Sequence, residues 1–394
     1  MQTFLLVALG IILFQLLVVL HEYGHFLVAK RNGVEVEEFG LGFPPRMVGK
    51  VMGKGIFRSL YTINWLPLGG FVKLKGENDT AKGKGTYGSQ RLWVKTKIIL
   101  AGVVVNFLTA IALFTLLALI GIPRLLPTAG FADEEQFTIA SDTTIASSTA
   151  ITSFVADDSP ADAAGLQLGD KLISLAGQNI DTNMTLGNLT PQLAGQTVDL
   201  VVERDGGQLT LAPTLRTQEV IEASVVEREQ CLAAGGSSCS PAMGYLGVVA
   251  TDFVLQKSTW SAPITGVGLA LQYSKVTLQG LWTAVSALFA GDTTTASESV
   301  SGPVGIFFIL KEGANLGFRF ILMIIAIISL TLAIMNTLPI PALDGGRLML
   351  TVLFRKILKK PLTKDTEEKI VGSSMAMLLL LMLVITVVDI RRFF

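Results

Sequence analysis

The sequence predicts an α-helical membrane protein of about four transmembrane helices, with a membrane-associated β-hairpin on the cytoplasmic side and an α+β domain outside the cytoplasm. Three observations predict it. Apolar residues make up 50% of the 394 and charged residues 16%, with a mean hydropathy of +0.57, which is the balance of a membrane protein rather than a soluble domain. Four apolar runs, at residues 4 to about 29, 98–120, 320 to about 338 and 375–388, the last extending upstream through Gly372 and Ser374, are read as long enough to cross roughly 30 Å of hydrocarbon at about 1.5 Å per helical residue. The charges between them are segregated, although the 31 basic and 31 acidic residues cancel: residues 30–97 hold 13 Lys/Arg against 5 Asp/Glu, residues 121–259 hold 6 against 17, and residues 343–369 hold 7 against 4. By the positive-inside rule the first and third stretches are cytoplasmic, the acidic middle stretch lies outside, and an even number of spans leaves both termini outside.

Residues 1–120 comprise the first two spans and the loop between them. The first run lacks a basic leader and a small-residue cleavage site, so it reads as a retained span rather than a signal peptide. In the loop, YTINWLPLGGFVKLKGE alternates apolar and polar residues about Pro67-Leu68-Gly69-Gly70, the pattern of a β-hairpin. Residues 121–259 form the outer region. Within it AITSFVA, KLISLAG, VDLVVE and QLTLAPTL read as strands, and SPADAAG as a short helix started by Ser–Pro and ended at Gly165. The run SPADAAGLQLGDKLISLAGQNI resembles the core of a PDZ domain, in the circularly permuted order common in bacterial proteases; the resemblance covers about residues 140–216. It implies a groove that takes a peptide by adding it as a strand.

Cys231 and Cys239, the only cysteines, flank a Gly/Ser-rich insert; a disulfide and two free thiols both fit that spacing. Residues 260–316 include an apolar stretch, 262–290, with scattered Gln272, Lys275 and Gln279, which reads as an interfacial amphipathic helix. A fifth span there would turn the basic residues 343–369 outward. Residues 317–394 hold the last two spans. No nucleic-acid signal appears beyond ordinary basic loops.

The two histidines of the chain, His21 and His25, both lie in HEYGH within the first apolar run. Four residues apart on a helix, they share a face with Cβ atoms about 5–6 Å apart, so two imidazoles can grip one zinc ion. Glu22 beside them can take the proton of the water that such a metal activates. Imidazoles and a carboxylate inside an apolar helix are costly, which sets this match apart from a chance pentapeptide and from a paired core histidine. A third ligand has to be a carboxylate or cysteine. Asp344 in NTLPIPALDGG stands out: Pro339 and Pro341 break the helix, Gly345 and Gly346 permit irregular backbone, and the carboxylate has apolar neighbours. The plainer reading of Asp344 is a helix-ending loop residue. His21 follows Phe4 by 17 residues, roughly 26 Å along a helix, which puts the histidines near the cytoplasmic face where water can enter.

With HEYGH in a first span and N-x-x-P-x-P-x-L-D-G in a later one, the chain resembles the site-2 protease family of intramembrane zinc metalloproteases, in its bacterial PDZ-containing branch, the regulators of sigma-E protease type. FGLGFPPRM, YTINWLPLGGFVKLKGE, QRLWVKTKIILAGVVVNFLTA and SGPVGI extend the likeness over most of the chain, although Val103 stands where many members carry Pro in AGPxxN.

The resemblance implies that His21, His25 and Asp344 ligate Zn2+, that Glu22 is the general base, that Asn336 contacts the substrate backbone or steadies the oxyanion, and that Gly69 and Gly70 guide an extended substrate. It implies a stress-response enzyme of the bacterial inner membrane. The substrates would be single-span membrane proteins such as membrane-anchored anti-sigma factors or signal-peptide remnants, with a peptide end or substrate ectodomain at the PDZ-like domain. Two readings of other classes remain: a metal-binding transporter or sensor, which has no use for Glu22, and a catalytically dead PDZ adaptor, which has no use for an intact HEYGH and LDG.

Overall fold

The computed structural model describes residues 2–77, 81–124, 136–204, 206–233, 239–292, 295, 302–359 and 362–393. They divide into two compact units, one made of Thr3–Ala118 with Trp260–Phe394, the other of Leu119–Thr259.

Among the described residues of the first unit, four helices are long and apolar enough to cross a membrane: α1 (Gln2–Arg31), α2 (Leu92–Ile120), a helix over Phe318–Met335, and one over Lys364–Phe393. α1 and α2 approach closely at Gly24, where a Cβ would stand 2.8 Å from the Ala101 carbonyl oxygen and 2.9 Å from Val105. Between spans whose outer faces meet lipid, a small residue of this kind is what lets two backbones pack. The loop joining α1 to α2 carries β1 (Val36–Met52) and β2 (Ser59–Leu74), an antiparallel pair.

Their register departs from the expected hairpin about residues 67–70. The arms 59–64 and 70–74 of β2 do not pair with each other; Phe39 of β1 lies between Tyr61 and Val72, and Gly40 between Thr62 and Phe71. The reversal falls instead at residues 53–58, where a one-turn helix, Gly55–Phe57, follows Gly53 at φ +88°. The first half of β1 thus fills the slot that local alternation assigns to a neighbouring arm. Phe26, buried at the end of α1, packs edge-on to Phe39 and anchors the sheet to the helix.

In the second unit β3 (Ile122–Arg124), β4 (Thr144–Val155), β5 (Lys171–Leu175), β6 (Gln178–Asn179), β7 (Leu200–Arg204), β8 (Gly207–Leu211) and β9 (Val248–Lys257) form an antiparallel sheet in the order β3-β9-β4-β5-β7-β8, with β6 on β5. Leu200 and Val202 alternate inward along β7, Leu172 and Leu175 of β5 lie three apart across a register shift, and all four are fully buried. Two short helices, α3 (Pro160–Ala163) and α4 (Asn183–Leu189), are each capped by a hydroxyl: Ser159 Oγ accepts from Asp162 N–H and Thr182 Oγ1 from Thr185 N–H. Arg204 grips the Asp170 carboxylate through Nε and Nη2 at 2.7 and 2.6 Å. β9 pairs with β4 along its whole length, so the sheet does not end near residue 216, where the sequence pattern stops. α5 (Gln218–Ala233) lies between, and Cys231 at its end is joined to Cys239 by a disulfide; residues 234–238 of the insert lie outside the described residues.

The chain re-enters the first unit with α6 (Ala262–Ala290), which is not among the four span-length apolar helices. Tyr273 stacks on Phe114 of α2 at 5.4 Å. α7 (Pro303–Asn315) then packs on α8 (Phe318–Met335) and α1 through Leu17, Leu310 and Ile321. A short α9 (Asp344–Val352) follows a break in the chain, and α10 (Lys364–Phe393) closes the unit. Buried Asp389 of α10 accepts from the N–H groups of Gly302 and Gly305 at 2.9 and 2.8 Å, satisfying donors that the start of α7 would leave without partners.

Candidate metal centre

On α1 the residues Gln15, Val18, Glu22 and His25 recur every three or four positions and share one face with His21. That face meets a matching one on α2, where Ile98, Gly102 and Asn106 are each four apart. His25 Nδ1 donates to the Ile98 carbonyl at 2.7 Å. This bond leaves the Nε2 lone pair of the neutral imidazole free and turns it inward, as a partner in the outer shell does for a ligating histidine.

Asp344 arrives from the other end of the unit. After α8 the chain turns back, with Gly345 N–H donating to the Asn336 carbonyl at 2.7 Å. A Cβ on Gly345 would stand 2.2 Å from the Thr337 carbonyl oxygen, and one on Gly346 2.0 Å from that of Ile340, so only glycine fits either position. Arg347, one turn beyond Asp344, reaches Glu77 and Glu367 at 3.8 and 3.6 Å and lies over the Tyr87 ring, tying α9 to the loop before α2 and to α10.

The result is a triangle of ligand atoms. His21 Nε2 and Asp344 Oδ2 are 3.1 Å apart, His25 Nε2 and Asp344 Oδ2 3.3 Å, and the two Nε2 atoms 3.2 Å. Zinc bonds of about 2.0–2.2 Å in a tetrahedron hold ligand atoms roughly 3.3–3.5 Å apart, so three corners are preformed to within a few tenths of an ångström. Asp344 Oδ2 is buried without a hydrogen-bond partner despite lying so near both imidazoles. An orphaned carboxylate oxygen between two imidazole nitrogens is costly unless a cation completes the set. It is the one such cluster among the described residues.

The sequence reading placed no weight on Gly102, yet the site depends on it. A Cβ there would stand 2.6 Å from His21 Nε2 and 2.6 Å from His25 Nε2, inside the cradle. A glycine in an apolar helix four residues before an asparagine is the signal that was available. Gly102→Ala is expected to weaken zinc binding roughly 10- to 100-fold, the usual effect of disturbing ligand orientation. Titration against a competing chelator checks this, and equal affinity would show that the imidazoles have room to give.

Glu22 lies beside the triangle, with the Val72 backbone N–H in hydrogen-bonding reach of its carboxylate. A cavity of about 250 Å³ opens along it, lined by Glu22, His21, Asp344, Asn336 and Gly69-Gly70 among others. Gly69 adopts φ +83° with a Cβ position 2.4 Å from the Phe43 ring, and Gly70 lies 3.3 Å from the Glu22 side chain by the same measure. The Gln15 side-chain amide holds Gly69 in both directions, donating to its carbonyl at 2.6 Å and accepting from its N–H at 3.1 Å. Six of the seven expected site residues line this cavity, and His25 lines a neighbouring one that shares Glu22 and Asp344 with it. Asn106, which the sequence reading passed over, lines the first cavity too.

A family model described as Peptidase family M50 matches residues 9–381. A Clostridium acetobutylicum protein named as a zinc metalloprotease is 27% identical over 99% of this chain and 98% of its own length. The regulator of sigma-W protease RasP of Bacillus subtilis is 27% identical over 98% of each chain. The zinc metalloprotease RasP of Geobacillus kaustophilus is 26% identical over 98% of this chain and 97% of its own.

Proposed function

The chain belongs to peptidase family M50, the site-2 protease family, and on that premise we propose that it cuts single-span proteins within the membrane at the centre formed by His21, His25 and Asp344. It is a zinc metalloendopeptidase and a multi-pass membrane protein. The observation that carries the finer reading is the triangle of candidate ligand atoms 3.1–3.3 Å apart beside the Glu22 carboxylate, on a cavity of about 250 Å³.

His21 Nε2, His25 Nε2 and Asp344 Oδ2 would hold the metal, which when bound supplies Lewis acidity that polarises the scissile carbonyl and acidifies water. Glu22 takes the proton of the attacking water and delivers it to the leaving amine, so the peptide bond breaks as a carboxyl group and an amine form. Asn336 donates to the carbonyl oxygen as negative charge gathers on it. A helical substrate keeps its backbone groups satisfied internally and has to unwind before it can react. With Gly69 held by Gln15, the β2 edge from Gly70 onward offers replacement pairing for the extended form.

The Bacillus subtilis relative is named for regulation of a sigma factor, which fits membrane-anchored anti-sigma factors as the proposed substrate class; signal-peptide remnants are the second class proposed. We assign the protein to the bacterial inner membrane with residues 119–259 outside. Their antiparallel sheet with its two short helices supports the PDZ-like reading, in which this unit screens the outer portion of a substrate. Single cysteines test the orientation cleanly, because Cys231 and Cys239 are bonded to each other and leave no free thiol. Cysteine at exposed Gln167 is expected to react with an impermeant thiol reagent in intact cells, and cysteine at exposed Lys54 only after lysis. The reverse pattern would overturn the orientation.

The function is tested with zinc-loaded enzyme in proteoliposomes containing single-span substrates, the products being sized by mass spectrometry. Cleavage inside the span by the wild type and not by Glu22→Gln is expected; intact substrates throughout would sink the reading. In the same assay, replacing residues 144–257 by a short linker should admit a substrate that keeps its folded outer domain, and continued rejection would rule screening out.

A further inference from the structure

Asn106 is buried to 1% exposure in the middle of α2, and neither Oδ1 nor Nδ2 of its side chain has a hydrogen-bond partner. A buried amide with both ends unmet is destabilising, and more so among apolar helices than at a surface. The backbone at this point is fully used: the Asn106 carbonyl accepts from Ser329 Oγ of α8 at 2.9 Å. The residue is therefore held in place while its polar end is left open. That end faces the reaction site. Asn106 lies one turn beyond Gly102 on the same face of α2, and it lines the cavity that holds His21, Glu22, Gly70 and Asn336.

We propose that Asn106 is a substrate-binding residue, whose side-chain amide takes the N–H and C=O of one residue of an extended polypeptide lying in the cavity. A carboxamide offers one donor face and one acceptor face, complementary to the two backbone groups of a single residue. The same unit already contains this pairing, since the Gln15 amide engages the N–H and C=O of Gly69 at 3.1 and 2.6 Å on the wall of the same cavity. An unwound substrate span brings unsatisfied backbone groups into apolar surroundings, and Asn106 brings an unsatisfied amide to the same place; pairing removes both costs. The inference rests on the proteolytic reading and adds a contact on the α2 wall, apart from the β2 edge.

The test uses Asn106→Leu, which keeps the branching and removes both polar atoms, and Asn106→Ala in case leucine repacks the helix. Each is examined by steady-state cleavage of a single-span substrate peptide in detergent. Each is also combined with Glu22→Gln, and the affinity of the uncut peptide is measured. Two hydrogen bonds lost to a bound backbone are expected to weaken that affinity, and to raise KM, about tenfold, with kcat near that of the wild type and zinc content unchanged. A purely structural asparagine would leave KM and affinity alone. Affinity and KM within twofold of the parent in both variants would overturn the proposal, as would loss of zinc in both. A wild type that neither cuts the peptide nor, as Glu22→Gln, binds it would overturn the proteolytic reading first, and this inference with it.

Discussion

Replacing Glu22 by glutamine is expected to lower the cleavage rate about a thousandfold while zinc content stays at about one per chain. The side chain keeps its length and hydrogen-bonding reach, so the cavity wall against Gly70 is undisturbed. What disappears, in the mechanism proposed above, is an acceptor for the proton of the attacking water, and with it the donor to the leaving amine. Glu22 is not one of the three converging residues, which are His21, His25 and Asp344, so metal retention separates a lost base from a lost site. Elemental analysis with single-turnover cleavage measures both quantities. Activity above about a tenth of the wild type would remove Glu22 from its role, because a positioned base is worth at least about a hundredfold. A metal-binding transporter or sensor would tolerate the exchange.

Asp344→Ala should act on the metal itself. Among the described residues three candidate ligands converge, and removing the carboxylate leaves two imidazoles, below the usual complement even for an open catalytic zinc. Zinc occupancy is expected to fall well below one per chain and proteolysis to become undetectable, with His21→Ala behaving alike. Because a ligand that binds only the folded state stabilises it in proportion to the logarithm of its concentration over Kd, excess zinc should raise the melting temperature of the wild type and leave that of Asp344→Ala unmoved. Full zinc retention in both variants would sink the ligand assignment.

The spans were legible because hydrocarbon imposes one requirement, an apolar surface about 20 residues long, that leaves a direct trace in composition. HEYGH was legible for a related reason: its two histidines sit on one helix, and helical spacing alone places them together. Asp344 could be named, because a broken backbone with prolines and glycines around a carboxylate is unusual at the end of an apolar run. The loop sheet was misread. Alternation about residues 67–70 suggested that its two arms pair, yet Gly40 of β1 lies between Thr62 and Phe71. Alternation records which face a residue takes and says nothing of which strand lies beside it. β9 escaped for the same reason, its partner β4 lying far back in the chain beyond α5 and the disulfide.

By itself, then, the sequence determined what local periodicity and solvent impose: which segments are apolar helices, which loops are basic, and that two imidazoles and a carboxylate share a helix. Only the tertiary structure decided what those groups meet. The distance of 3.1 Å from His21 to Asp344, the open cradle at Gly102 and the unpartnered amide of Asn106 all depend on how α1, α2 and the turn after α8 pack. Glycine and asparagine within AGVVVN share a helix face by their four-residue spacing, but that spacing does not say what the face meets. Their significance comes from atoms of other helices brought within a few ångströms, and long-range packing of that kind leaves no mark in a window of neighbouring residues.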